Sequence, residues 1–222
     1  MKIGTDAVLL GAWCSVENFI DSILDVGSGT GVISLMLAQR SDAMTIDAVE
    51  LDENAYEQTV ENFEQSDWGD RLYCYNASFQ EFATEMEEEE ETYDLIVTNP
   101  PFYTDDFETD NKARNKARFT SSLSFEELIK SSKTILSENG IFCVVIPYKE
   151  EQKFVSLALE SSLYLNRVCR VKGNPTSEIK RSLLEFSFLQ KELKQDELII
   201  EISRHQYTKE YIELTRDFYL KM

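Results

Sequence analysis

The sequence predicts an α/β fold: a Rossmann-like, doubly wound, mostly parallel sheet with helices on both faces. Three observations carry this. Short apolar runs alternate with amphipathic stretches along 222 residues, as a parallel, helix-covered sheet requires. A glycine cluster, Gly27-Ser28-Gly29-Thr30-Gly31, follows the first apolar run and opens an amphipathic stretch, the arrangement of a nucleotide-type loop. A second turn, Asn99-Pro100-Pro101-Phe102, closes the fourth apolar run.

The elements follow in order. A helix is predicted over 5–13 and a buried strand over 22–26. The next helix, 30–40, is marked by Val32, Leu35, Met36 and Ala38. A strand at 45–50 leads to Asp52, the N-cap of a helix over 53–65 that carries Ala55, Val60 and Phe63. A strand at 71–76 precedes the acidic run Glu85-Met86-Glu87-Glu88-Glu89-Glu90-Glu91, read as a solvated loop or helix end. Strands at 93–98 and 141–147 enclose a helix at 124–137, and a helix at 149–160 leads to strands at 163–171 and 182–190. Weak alternation from Glu197 to Ser203 suggests another strand before a final helix at 208–220. With 42% hydrophobic residues the chain buries one sizeable core, so residues 1–222 are read as one catalytic domain, 1–98 mainly its cofactor half and 99–222 mainly its substrate half. No apolar run approaches the roughly 18 residues of a membrane span and no secretory signal stands at Met1. A cytoplasmic protein, monomeric or weakly dimeric, is expected.

The two turns carry the chemistry. Glycines let the backbone approach a ligand, and the loop N–H groups and the helix N-terminus face it. A dinucleotide fingerprint needs glycine at position 32, where this chain has Val32. The loop therefore fits S-adenosyl-L-methionine better than NAD. Glu50, at the end of the second strand, lies at the distance from Gly27 at which a carboxylate grips ribose hydroxyls.

Asn99-Pro100-Pro101-Phe102 describes a pocket for a flat amino group. The amino nitrogen of adenine, cytosine or a carboxamide is a poor nucleophile, because its lone pair is delocalised into the adjoining π system. Acceptors beside each N–H pull the group towards a tetrahedral shape and free that lone pair for attack on a methyl sulfonium. The Asn99 side-chain carbonyl and the Pro100 backbone carbonyl are the candidates. Two prolines fix φ and remove two N–H groups, giving a stiff turn that does not relax during reaction. Phe102 supplies a stacking face.

The run Met1-Lys2-Ile3-Gly4-Thr5-Asp6-Ala7-Val8-Leu9-Leu10-Gly11-Ala12-Trp13, the glycine loop, the Asn-Pro-Pro-Phe turn and the ending Tyr211-Ile212-Glu213-Leu214-Thr215-Arg216-Asp217-Phe218-Tyr219-Leu220 together resemble the tRNA1(Val) adenine N6-methyltransferase family, over essentially the whole chain. The resemblance implies a class I methyltransferase with a seven-stranded sheet whose last strand is antiparallel. It implies N6-methyladenosine immediately 3′ of the anticodon, at adenine 37, as product, with Asn99 to Phe102 holding the flipped base. Thr5 and Asp6 match the family's segment near the methionine end of the cofactor. Asp25, Gly27, Gly29 and Gly31 match its glycine motif and Glu50 its ribose-binding acid, with Leu51 beside it. Asn76-Ala77-Ser78 falls where many such enzymes carry an acid that contacts the cofactor's adenine amino group. Here that position is Ser78, so recognition passes to the backbone of Ala77 and Ser78 or to Phe79. Members also carry a short aromatic and basic segment ahead of Lys2-Ile3-Gly4-Thr5-Asp6. This sequence begins inside it, which makes a truncated start one reading.

The net charge is −19, against the basic footprint of a nucleic-acid binder. The charge is uneven: residues 1–111 hold 3 Lys or Arg and 26 Asp or Glu, residues 112–222 hold 19 and 15. Just after the Asn-Pro-Pro-Phe turn, Lys112, Arg114, Lys116 and Arg118 put four cations beside the base pocket, and Tyr103, Phe107 and Phe119 are rings that stack on a base or serve as core or lid residues, the lid being the reading for Phe107. Arg167, Arg170, Lys172, Lys180 and Arg181 extend this reading; in the bland alternative the cations only balance Asp105, Asp106, Glu108 and Asp110. Cys14, Cys74, Cys143 and Cys169 form no C-x-x-C pair, and His205 is the only histidine. Zinc sites and Ser-His or Cys-His pairs have little material here, and no metal is expected. Two alternatives stay open: the same chemistry on rRNA guanine N2 or a protein glutamine, and a noncatalytic cofactor-binding protein.

Overall fold

The computed structural model describes residues 3–17, 20–100 and 123–220. In chain order the elements are α1 (Thr5–Trp13), β1 (Ser22–Val26), α2 (Val32–Arg40), β2 (Thr45–Val49), α3 (Glu53–Glu64), β3 (Leu72–Tyr75), α4 (Phe79–Glu88), β4 (Tyr93–Thr98), α5 (Phe125–Ile135), β5 (Leu136–Pro147), α6 (Glu151–Glu160), β6 (Tyr164–Lys172), β7 (Ile179–Ser187), β8 (Lys194–Ile199), β9 (Glu201–Ser203), β10 (Gln206–Tyr207) and α7 (Lys209–Thr215). The main sheet has eight strands in the order β3-β2-β1-β4-β5-β7-β6-β8, and β9 with β10 makes a separate hairpin. β7 alone runs against its neighbours, inserted between β5 and β6.

The expected doubly wound, mostly parallel sheet is present, but it has eight strands rather than seven. The eighth, β8, starts earlier than the weak alternation at 197–203 and pairs parallel with β6. Polar pairs attach it: Lys172 Nζ lies 2.9 Å from Glu197 and Arg170 donates to Gln195 at 3.2 Å. Its first four residues are exposed, so hydrophobic alternation, the usual strand signal, is missing there.

The helices form two layers. α1, α2, Phe63 of α3 and Tyr211 of α7 cover one face of the sheet through Ile23, Ile46, Leu95, Cys143 and Leu183. α4, α5 and α6 cover the other through Leu24, Ile96, Phe142, Val144 and Phe186. The stretch at 79–88, with no helix predicted over 79–84 and a solvated loop or helix end expected from Glu85, is the regular helix α4, of which Glu85 to Glu88 form the end. Ser78 Oγ accepts the Glu81 N–H at 3.2 Å while the Glu81 carboxylate accepts from Ser78, a capping box, and Phe79, Phe82 and Ala83 bury one face. Asp52 caps α3 as expected, accepting from the Ala55 N–H at 3.0 Å. Among the described residues no helix is long and apolar enough to cross a membrane.

Candidate active site at the strand switch point

The strand order reverses between β1 and β4: the chain leaves β1 towards β2 and β3, then crosses back to β4 and β5. Ligands of open α/β sheets lie outside the carboxyl ends of strands at such a point. Both turns singled out in the sequence stand there. Val26 pairs with Thr98, so Gly27 and Asn99 leave adjacent strands side by side. Thr98 Oγ1 donates to the Val26 carbonyl at 2.9 Å, which locks the glycine loop in register with the Asn99 turn. Asn99 is half-buried and Pro100 buried. Pro101, Phe102, Tyr103, Lys112, Arg114, Lys116, Arg118 and Phe119 lie outside the described residues.

The loop is held from α3. Gly27, Gly29 and Gly31 have φ of 72°, 61° and 72°, in the left-handed region that favours glycine. At Gly31 a Cβ would also come within 2.6 Å of the Phe63 ring. Thr59 Oγ1 donates to the Gly29 carbonyl at 3.1 Å and Asn62 Nδ2 to the Thr30 carbonyl at 2.8 Å. Thr59, Asn62 and Thr98 carried no sequence signal, because their roles arise only when α3 and β4 pack on the loop.

Glu50 is fixed on both sides: one carboxylate oxygen accepts the Gly29 N–H at 2.8 Å, the other the Asp52 N–H at 2.9 Å. Asn76, after β3, donates to the Glu50 carbonyl at 2.9 Å, tying three strand ends together. Leu51 beside it is exposed. The Ser78 hydroxyl serves the α4 cap, which leaves the backbone at Ala77 and Ser78 for a ligand, since Phe79 is itself buried.

Asp25 is fully buried beneath the loop. Its Oδ2 accepts from the Ser34 hydroxyl at 2.7 Å and the Ser34 N–H at 3.2 Å; among the described residues its Oδ1 has no partner. Burial pushes its carboxyl up to about 6, the Ser34 bonds opposing and the Glu50 charge adding. A buried acceptor without a partner, a ribose-type carboxylate held at a fixed angle, and a Gly27 whose absent Cβ would meet nothing within 4 Å together fit a nucleoside cofactor with a cationic end.

Thr5 is exposed and Asp6 half-buried in the first turn of α1. Asp6 accepts from Arg181 at 2.7 Å. Of the five cations expected to extend a basic surface on β6 and β7, four stand beside carboxylates. Arg167 lies 3.8 Å from Glu185, Arg170 2.7 Å from Glu151, Lys172 2.9 Å from Glu197 and Arg181 2.7 Å from Asp6. Arg167 also stacks on Trp13, 4.1 Å from the ring centroid. Lys180 is exposed.

The methyltransferase small domain family matches residues 9–170. The chain is 57% identical over 222 residues to a tRNA1(Val) (adenine(37)-N6)-methyltransferase of Christiangramia forsetii, covering 100% of this chain and 92% of that one. It is 58% identical to the protein of the same name from Flavobacterium psychrophilum, covering 100% and 94%. A solved structure of a predicted O-methyltransferase from Agrobacterium tumefaciens superposes with a TM-score of 0.73 over 96% of each chain at 17% identity, a likeness of fold.

Proposed function

The chain belongs to the tRNA1(Val) (adenine(37)-N6)-methyltransferase family, and from that premise we propose that it methylates N6 of adenine 37 in the anticodon loop of tRNA1(Val). The observation that carries the mechanism is the Val26–Thr98 register, which sets the glycine loop and the Asn99 turn side by side at the switch point. S-Adenosyl-L-methionine supplies the methyl group as an electrophilic sulfonium. Glu50 holds its ribose, Asp25 and Gly27, Gly29 and Gly31 form the floor, Thr5 and Asp6 flank its methionyl end, and Leu51, Ala77 and Ser78 border its adenine.

Asn99 Oδ1 and the Pro100 carbonyl accept the two amino protons of the target adenine. Held this way, the nitrogen would direct its lone pair at the sulfonium methyl, the new N–C bond replacing the C–S bond, whose electrons would stay on the departing thioether of S-adenosylhomocysteine. Once methylated it loses a proton to water or to the Asn99 carbonyl, so no strong base is needed. Pro101 stiffens the turn, and Phe102 and Tyr103 stack on the extruded base, which offsets part of the few kcal/mol of unstacking. Lys112, Arg114, Lys116 and Arg118, with Phe119, take the flanking backbone, and each phosphate contact makes binding salt-dependent. In this reading residues 1–98 mainly bind the cofactor, 99–222 mainly the RNA, and the protein works in the cytoplasm, where its four free thiols stay reduced.

Asn99→Ala is expected to lower turnover on tRNA by at least about a hundredfold, the scale for one preorganised polar group at a reacting centre, while binding of S-adenosylhomocysteine changes little. Nucleoside mass spectrometry of tRNA treated with each protein measures this. Wild-type turnover by the variant, or methylation of ribosomes or release factors in preference to tRNA, overturns the assignment.

A further inference from the structure

α1 and α2 are nine-residue helices packed side by side. Val8 and Met36 share one apolar cluster with Val32, and a Cβ on Gly11 would come 2.9 Å from the Met36 sulfur. Arg40, in the last turn of α2, donates to the carbonyls of Gly11 and Cys14 at the end of α1, at 2.6 and 3.0 Å. The two helices therefore run in the same sense, and both N-termini point to the crevice. That of α2 leaves the glycine loop; that of α1 presents Thr5 and Asp6. The N-cap of α1 is Gly4, with no side-chain cap.

Asp6 is held there from the other half of the chain. Arg181 pairs with Pro147, the last residue of β5, at the same rim. Its Nε donates to Asp6 at 2.7 Å, and its Nη1 is braced by the Lys180 carbonyl at 3.0 Å. The two side chains are only 33% and 26% exposed, so solvent screens the pair less than an open surface pair.

We propose that Arg181 is a positioning residue for the cofactor: it fixes Asp6 and the open first turn of α1 at the crevice, although its place in the basic half suggests an RNA contact. An α-amino-acid end needs a carboxylate for its ammonium and N–H donors for its own carboxylate. Asp6 and the uncapped first turn of α1 offer both, provided that they are held still. The inference rests on the cofactor reading given under the proposed function.

Calorimetry on the full chain with S-adenosylhomocysteine, without RNA, tests it. Arg181→Ala is expected to weaken binding about tenfold with the ligand-free melting temperature within a few degrees, and Arg181→Lys to recover most of the loss. The pair Asp6→Asn and Arg181→Ala together should bind no more weakly than Asp6→Asn alone, as for two residues acting through one contact. At saturating cofactor, tRNA affinity should not change. Should the alanine variant fail to fold, Arg181→Gln, which keeps the side-chain volume, carries the same expectations. Affinity for S-adenosylhomocysteine within twofold of wild type, or a loss confined to tRNA binding at saturating cofactor, overturns the proposal. Failure of the wild-type chain to bind S-adenosylhomocysteine overturns the cofactor reading itself.

Discussion

The ends of β1 to β3 and the ends of β5 to β7 share one rim but are held by different chemistry. The first group is fastened by side chains on neutral backbone groups: Thr59 on the Gly29 carbonyl, Asn62 on that of Thr30, Asn76 on that of Glu50, and the Glu50 carboxylate on the Gly29 N–H. The second is fastened by ion pairs: Arg181 on Asp6, Arg170 on Glu151, Lys172 on Glu197. Even the two arginines described in the acidic half follow its rule, Arg40 clamping the end of α1 and Arg71 the carbonyls of Ala38, Ser41 and Ala43. Bonds from a side chain to a neutral backbone group depend little on ionic strength. Partly exposed ion pairs weaken with salt. The rim at β1 to β3 should therefore be indifferent to salt, and the rim at β5 to β7, the Arg181–Asp6 contact included, sensitive to it.

The comparison breaks most visibly at Gly31. Gly31→Ala combines a left-handed backbone with a methyl group 2.6 Å from Phe63, a cost on the order of 3–5 kcal/mol. Thermal melts should show a large destabilisation and calorimetry a loss of S-adenosylhomocysteine binding. Adding Phe63→Leu should relieve the clash and recover part of the stability. Full stability of Gly31→Ala would mean that the loop is not held as described.

Asp25 gives a smaller, pH-dependent effect. Burial raises its carboxyl from 3.8 to about 6, so between those values the folded chain holds a proton that the unfolded chain has released, and stability from this group falls as pH rises through the window. Asn at this position cannot ionise. Asp25→Asn should melt higher at pH 8, by on the order of 3 kcal/mol, with the advantage gone near pH 4 and cofactor affinity reduced. An advantage that does not change with pH would refute the ionisation account.

The smallest effect is expected on the rim. Glu151, 13% exposed at the side chain, meets Arg170 and also takes the Ser182 hydroxyl. Glu151→Gln keeps the shape but loses the charge, and should cost about 1–2 kcal/mol at low salt, shrinking as salt rises. Melts across a salt series decide this: a constant difference would place this rim with the neutral cradle.

Much of this was legible in the sequence because it is local. Gly27 to Gly31, Glu50 and Asn99-Pro100 are each a strand end followed by a turn, and strand ends are readable from apolar runs. The α4 cap, Ser78 with Glu81 three residues on, was equally local and was overshadowed by the acidic run that follows it. What was not legible depends on packing between distant segments. Thr59 and Asn62 look like ordinary helix residues until α3 lies against the loop. Arg167, Arg170, Lys172 and Arg181 look like free cations until Glu185, Glu151, Glu197 and Asp6 arrive from elsewhere in the chain. β8, laddered parallel to β6 and exposed over its first four residues, has no hydrophobic period to announce it.

The strand order has one more consequence. It lays β3, β2, β1 and β4 on one side of the sheet and β5, β7, β6 and β8 on the other, across about 30 Å at the usual strand spacing. Among the described residues, 3–100 hold 2 Lys or Arg against 22 Asp or Glu and 123–220 hold 14 against 15, so an electric dipole lies along the sheet's hydrogen bonds. A dipole in the field of a polyanion experiences a torque, which turns the less acidic flank forward before any contact is made.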